Sequence, residues 1–177
     1  MSEQYARKPL AAQGDAGRRF VTDFIREVFR SGSIAALAMI PFGLVFFALG
    51  LRVNEYGIKF IQTFFGDQPP GIRFGFFVIE HFVISWSVSM PLLLALLVTR
   101  RRLPAIVTGL AYGAGFYVLI NSLALPWAFG DPTPWQMGVK VIYPSLIIHL
   151  IYGIAIALTS KPFISRYANH LEAGAIA

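Results

Sequence analysis

The chain has 177 residues, no cysteine and a positive mean hydropathy; 56% of it is hydrophobic and only 14% charged, where a soluble domain carries roughly a quarter. That composition excludes disulfides, thiolate metal sites and cysteine nucleophiles, and it predicts one helical membrane domain with no room for a second globular unit. The formal net charge of +6 would suit nucleic acid if the basic residues shared one soluble face, but they are spread along the chain by another rule.

Residues 1–16 are polar, small and aperiodic, which predicts a disordered cytoplasmic tail. From Arg18 to Arg30, Phe20, Val21, Phe24, Ile25, Val28 and Phe29 recur at helical spacing among charged residues. This predicts an amphipathic helix over 17–31 that lies on the membrane interface or packs on a partner subunit. Four long apolar segments follow: Ser33–Leu51, Phe74–Val98, Pro104–Phe129 (spanning as 104–126) and Val141–Ser160. Each has about the 20 residues that a helix needs to cross a hydrocarbon core of roughly 30 Å. The expected fold is therefore all-α: a four-helix transmembrane bundle over 32–160, with a cytoplasmic tail over 161–177. The leading apolar run begins about 30 residues into the chain and lacks the small-residue cleavage pattern of a signal peptide.

Between the first two spans, Glu55–Asp67 is aromatic but too short to cross, and Tyr56, Phe60 and Phe64 repeat every four residues. A short helix on the outer interface is expected there, ended by Gly66–Asp67–Gln68–Pro69–Pro70–Gly71. Arg100–Arg102 and Pro104 make a tight turn that folds the second and third spans into a hairpin. In the third span Gly109, Gly113 and Gly115 are expected to let another backbone approach closely. Leu125–Trp135 is proline-rich, and Trp127 and Trp135 are expected interface anchors. With four spans, the N-terminus, the 100–102 turn and the C-terminus share a side that collects 11 of the 15 basic residues. The positive-inside rule then predicts both termini in the cytoplasm, with anionic lipid as a partner at that face and no nucleic acid.

Few polar side chains lie inside the spans. At 100° per residue, His81, Ser85 and Ser89 share one stripe, Glu80 and Ser87 another, and Ser145, His149, Tyr152 and Gly153 share a face of the fourth span. By helical rise His81 lies roughly 10 Å and His149 roughly 12 Å from the outer boundary, with Asn121 nearer to it. Glu80, His81, Asn121, Ser145 and His149 can therefore meet in the outer half of the bundle. Four chemistries suit such a group: hydrogen bonds between helices, a polar or proton-binding cavity, b-type haem with His81 and His149 as axial ligands, or a divalent metal on Glu80, His81 and His149. No Gly-x-Ser-x-Gly, His-Glu-x-x-His or P-loop pattern is present.

From Glu80 onward the features run His81, a basic turn, a glycine-spaced helix ending Asn121–Ser122–Leu123–Ala124–Leu125–Pro126, a Pro/Trp loop, then Tyr143–Pro144–Ser145 and His149. This order, over about 100 residues, is similar to the YagU-like group of small bacterial inner-membrane proteins. The resemblance implies a multi-spanning inner-membrane protein linked to acid tolerance and supplies no established chemistry. The leading functional expectation is a non-enzymatic accessory or structural component of a membrane assembly, or a small homo-oligomer. The alternatives are a small transporter or proton-linked channel and a b-haem electron carrier.

Overall fold

The computed structural model describes residues 10–51, 56–99 and 103–167, with side chains from Gly17 onward. Every regular element among these residues is a helix: α1 (Leu10–Ala48), α2 (Tyr56–Phe65), α3 (Pro70–Thr99), α4 (Ala105–Phe116), a π-helical segment (Tyr117–Ala124), α5 (Leu125–Phe129), α6 (Pro134–Met137) and α7 (Val139–Thr159). Residues 161–167 add a helical stretch after Ser160. Four stretches are long and apolar enough to cross a membrane: Gly17–Ala48, Pro70–Thr99, Ala105–Phe129 and Val139–Thr159. Their outward faces carry leucine, valine, isoleucine and phenylalanine, as a lipid-facing surface requires.

The first span departs from expectation. Residues 17–31 and the apolar run after them form one uninterrupted helix, and its backbone is already helical at Leu10, inside the stretch read as a tail. Its 39 residues extend about 58 Å at 1.5 Å per residue. Gly32 and Ser33, where the two stretches meet, are contact points with α3. The Ser31 hydroxyl donates back to the Glu27 carbonyl (2.7 Å), Ser33 Oγ accepts from the Trp86 indole (2.9 Å), and a Cβ on Gly32 would meet Trp86 Cδ1 at 3.0 Å. Part of the aromatic face of 17–31 is covered by the chain's own residues. Phe20 and Phe24 pack on Phe163, and Phe20 meets Tyr167 edge-on. Residues 1–9, 52–55, 100–102 and 168–177 lie outside the described part, and with them the rest of both tails and the Arg100–Arg102 cluster.

α7 is the hub, touching α1, α3 and α4. The contacts set an antiparallel order. Val28, Gly32 and Ala36 of α1 meet Ser89, Ser85 and His81 of α3, each step forward on one matched by a step back on the other. Gly109 and Gly113 of α4 meet Gly153 and His149 of α7 in the same way. The bundle thus has a terminal pole, where the start of α1 meets 161–167, and a loop pole holding α2, α5 and α6.

The α4–α7 seam is the closest approach in the bundle. A Cβ on Gly109 would overlap the Gly153 carbonyl, one on Gly113 the His149 carbonyl, and one on Gly153 the Gly109 carbonyl. Backbones this near gain dispersion contact and leave no room for larger residues. Gly115 is different: nothing lies within 4 Å of where its Cβ would be, because it points about 200° away from Gly113 around the helix. The seam's third glycine is Gly153, not Gly115.

Candidate functional site

Polar side chains occur in two settings within the bundle. The first is a seam running down α3. His81 Nε2 lies 3.2 Å from the Ala36 carbonyl, Ser85 Oγ donates to the Gly32 carbonyl (2.8 Å), and Ser89 Oγ bonds the Trp86 carbonyl (2.8 Å) and lies 3.3 Å from that of Val28. α7 and α4 join it through two tyrosines: Tyr152 donates to the Ser85 carbonyl (2.5 Å) and Tyr112 to that of Val88 (2.8 Å). The stripe 81–85–89 read from the sequence is thus a row of donors aimed at helix carbonyls. Such bonds between membrane helices are worth roughly 0.6 kcal/mol each, and they fix rotation as well as proximity.

The second setting is the π segment. The Leu125 N–H reaches the Ile120 carbonyl five residues back, so this turn holds one residue more than an α-helix would. Pro126 explains the location. It has no N–H to offer the carbonyl four residues earlier, and its ring would clash there; a wider turn relieves the clash. The widened turn buries Tyr117, Asn121 and Ser122, at 1%, 6% and 0% exposure. Tyr117 Oη, Asn121 Nδ2 and Ser122 Oγ are the buried side-chain polar atoms without a hydrogen-bond partner among the described residues. Leaving such a group unpaired costs about 1–3 kcal/mol, so a cluster of three on one turn marks a place where something else completes the bonding.

His149 lies beside it, its ring centroid 5.7 Å from that of Tyr117 and 5.6 Å from that of Phe116. Its Nδ1 is 2.6 Å from the Ser145 carbonyl on its own helix. A carbonyl only accepts, so Nδ1 carries the proton, and a neutral ring then has a bare lone pair on Nε2. Ser145 is fully buried one turn earlier on α7. Past the Gly109–Gly153 and Gly113–His149 approaches, the Tyr117 ring packs on His149 at the start of the widened segment. The Trp135 ring of α6 closes the loop-pole side, edge-on to Tyr117 at 6.1 Å. Trp127, 87% exposed, projects outward as a membrane-boundary anchor would.

Of the five residues expected to converge, Asn121, Ser145 and His149 belong to this α4–α7 region, while Glu80 and His81 belong elsewhere. His81 faces α1 and stacks on Phe77. The Glu80 carboxylate lies over α2, where a Cβ on Gly57 would meet its Oε2 at 2.5 Å; adjacent helix residues diverge by about 100°, which separates it from His81. Among the described residues no three of His, Cys, Asp and Glu gather as metal ligands would. A haem held between two Nε2 atoms would require His81 to give up Ala36.

No family model, curated protein or solved structure matches the chain. The YagU-like resemblance therefore rests on the order of residues alone.

Tyr117 falls with Asn121 on the stripe that extends Gly109 and Gly113 by fours, whereas Ser122 has no place in that stripe. A signal for Ser122 exists: a proline at 126, four residues later, inside a helix that must continue. The loop-pole cover is held by α2. Lys59 forms an ion pair with Asp131 and lies 5.9 Å from the Phe129 ring centroid, and Tyr56 stacks on Phe129 at 5.7 Å. Burial, and then the nearby Asp131 carboxylate, push the Tyr56 phenol above its ordinary pKa.

Proposed function

We infer that the chain is a non-enzymatic multi-pass protein of a bacterial inner membrane, with both termini cytoplasmic. Its role is that of a small transporter or proton-linked channel whose polar site lies in the outer half of the bundle. The observation that carries this reading is the trio of buried groups without a partner among the described residues, Tyr117, Asn121 and Ser122, on one widened segment whose Tyr117 ring lies against His149. Together they offer amide donors, two hydroxyls that donate or accept, and an imidazole lone pair. That set suits water, a proton or a small solute with both donors and acceptors. The basic-residue asymmetry supports the orientation, and the absence of cysteine makes it easy to test by single-cysteine labelling from either side.

The deciding experiment is proton flux into pyranine-loaded phosphatidylethanolamine–phosphatidylglycerol liposomes under an imposed potential. Wild-type protein is expected to raise flux above that of empty vesicles. Asn121→Leu and His149→Phe are expected to reduce that increment at least tenfold. Flux no greater than in protein-free vesicles, or unchanged in both variants, would remove the reading.

A second reading, an accessory component of a membrane assembly or a homo-oligomer, is supported by the α3 seam, where every polar group serves packing. It requires a particle larger than one bundle when sized in mild detergent.

A further inference from the structure

The terminal pole carries a second polar feature, separate from the π-segment site. A cleft of about 350 Å³ is lined by Arg18, Arg19, Thr22, Asp23, Arg26 and Tyr167. Its one carboxylate is already engaged. Asp23 accepts from the Tyr167 hydroxyl, lies 3.5 Å from Arg166 and stands only at the 4.0 Å margin from Arg26. That bond to Asp23, followed by burial, raises the Tyr167 pKa, so the phenol stays neutral and the pair keeps its form at ordinary pH. Arg18 and Arg19 have no acidic partner among the described residues, and the Arg26 side chain is 78% exposed. Three guanidinium groups with one occupied carboxylate leave a net positive cleft, shaped for oxygens that accept several N–H bonds at once.

An exposed apolar stripe runs beside those arginines on the same helix. Val21, Ile25 and Phe29, four residues apart, are about half exposed although the opposite side of α1 is packed. Arginine beside exposed apolar surface on a membrane-interface helix is the arrangement in which the stem lies along acyl chains while the head reaches phosphate. A soluble anion would use the arginines and leave the stripe idle; an anionic phospholipid uses both.

We propose that Arg18, Arg19 and Arg26 with Val21, Ile25 and Phe29 form a binding site for one anionic phospholipid, the headgroup phosphate in the cleft and an acyl chain along the stripe. Each arginine is expected to contribute about fivefold in affinity. The site does not depend on the transport reading, because it lies at the other pole and shares none of its residues.

The test is native mass spectrometry of the full chain in detergent, with phosphatidylglycerol, phosphatidylcholine and inorganic phosphate as separate probes. Wild type is expected to retain one phosphatidylglycerol at least tenfold more strongly than phosphatidylcholine. The variant R18Q/R19Q/R26Q should bring the two lipids level. Ile25→Ser with Phe29→Ser should weaken phosphatidylglycerol several-fold while the preference over phosphatidylcholine remains. Equal retention of both lipids by wild type, or undiminished phosphatidylglycerol on the triple variant, would overturn the proposal. Inorganic phosphate held as tightly as phosphatidylglycerol would overturn the lipid assignment in favour of a soluble-anion site. If the triple variant does not fold, Arg19→Gln alone carries the test, with an expected loss of about fivefold.

Discussion

Tyr152 and Tyr117 are both buried tyrosines on the facing helices of one seam, yet their hydroxyls differ. Tyr152 donates to the Ser85 carbonyl and ties α7 to α3, whereas Tyr117 has no partner among the described residues. The same contrast separates Ser85 and Ser89 from Ser122. Where α1, α3 and α7 run as regular helices, the buried hydroxyls of Ser31, Ser85, Ser89 and Tyr152 find a carbonyl on their own or the neighbouring helix. Where the third span widens before Pro126, three polar groups turn inward and find none among the described residues. Polar atoms of the first kind belong to the architecture, and those of the second kind are the ones on which the proposed polar site rests. Residue type does not tell the two apart; the helix geometry does.

That contrast can be broken at several points. The largest effect is expected where backbones touch. Gly109→Val drives a side chain into the Gly153 carbonyl, and a loss of about 3 kcal/mol or failure to fold is expected. Gly115→Ala, with open space around it, should stay within about 0.5 kcal/mol of wild type. Unfolding in sodium dodecyl sulfate, followed by circular dichroism, measures both.

The tyrosine pair sharpens the comparison next. Tyr152→Phe should cost about 1 kcal/mol by stranding its place in the seam, while Tyr117→Phe should be neutral or slightly stabilising because it removes an unpaired hydroxyl. In the liposome assay the order should reverse, with Tyr117→Phe impaired and Tyr152→Phe near wild type. Equal stability losses in the two variants would dissolve the distinction between closed and open polar regions.

Smaller effects are expected at the loop pole. Lys59→Ala removes a partly exposed ion pair and should cost about 0.5 kcal/mol, with salt reducing the difference. The clamp also has a pH signature. The Tyr56 phenol is raised in the fold, so its contribution is whole below the ordinary tyrosine value near 10 and is lost as pH rises through the folded value. The tyrosinate absorbance near 295 nm that disappears in Tyr56→Phe should therefore rise later than that of free tyrosine; a step at or below pH 10 would contradict this.

Much of the frame was legible in the sequence, for identifiable reasons. Spans of about 20 apolar residues follow from the thickness of hydrocarbon, and the stripe His81–Ser85–Ser89 follows from the helical period. The period also explains what was missed. A reading at 100° per residue assumes a constant turn, so it cannot see the wider one at Tyr117–Ala124, nor that Ser122 turns inward there with Tyr117 and Asn121. It treats glycines as a set, although Gly115 points away while Gly153, on another helix, completes the seam. Grouping residues by depth placed Glu80 and His81 with His149, but depth says nothing of direction, and α2 and α1 claim those two side chains. The small residues Gly32 and Ser33, between the amphipathic stretch and the first apolar run, are points of close approach to α3.

The π turn has one more consequence, which concerns length rather than polarity. It holds a single surplus residue, so removing one residue between Tyr117 and Ala124 would restore ordinary α-helical register without shortening the span appreciably. Pro126 and Trp127 would keep their direction relative to the Gly109–Gly113 stripe, because the surplus residue is what the wide turn takes up, while the inward setting of Tyr117, Asn121 and Ser122 would be lost. The third span is thus the part of this chain where a one-residue deletion would be absorbed by the fold and registered by the site.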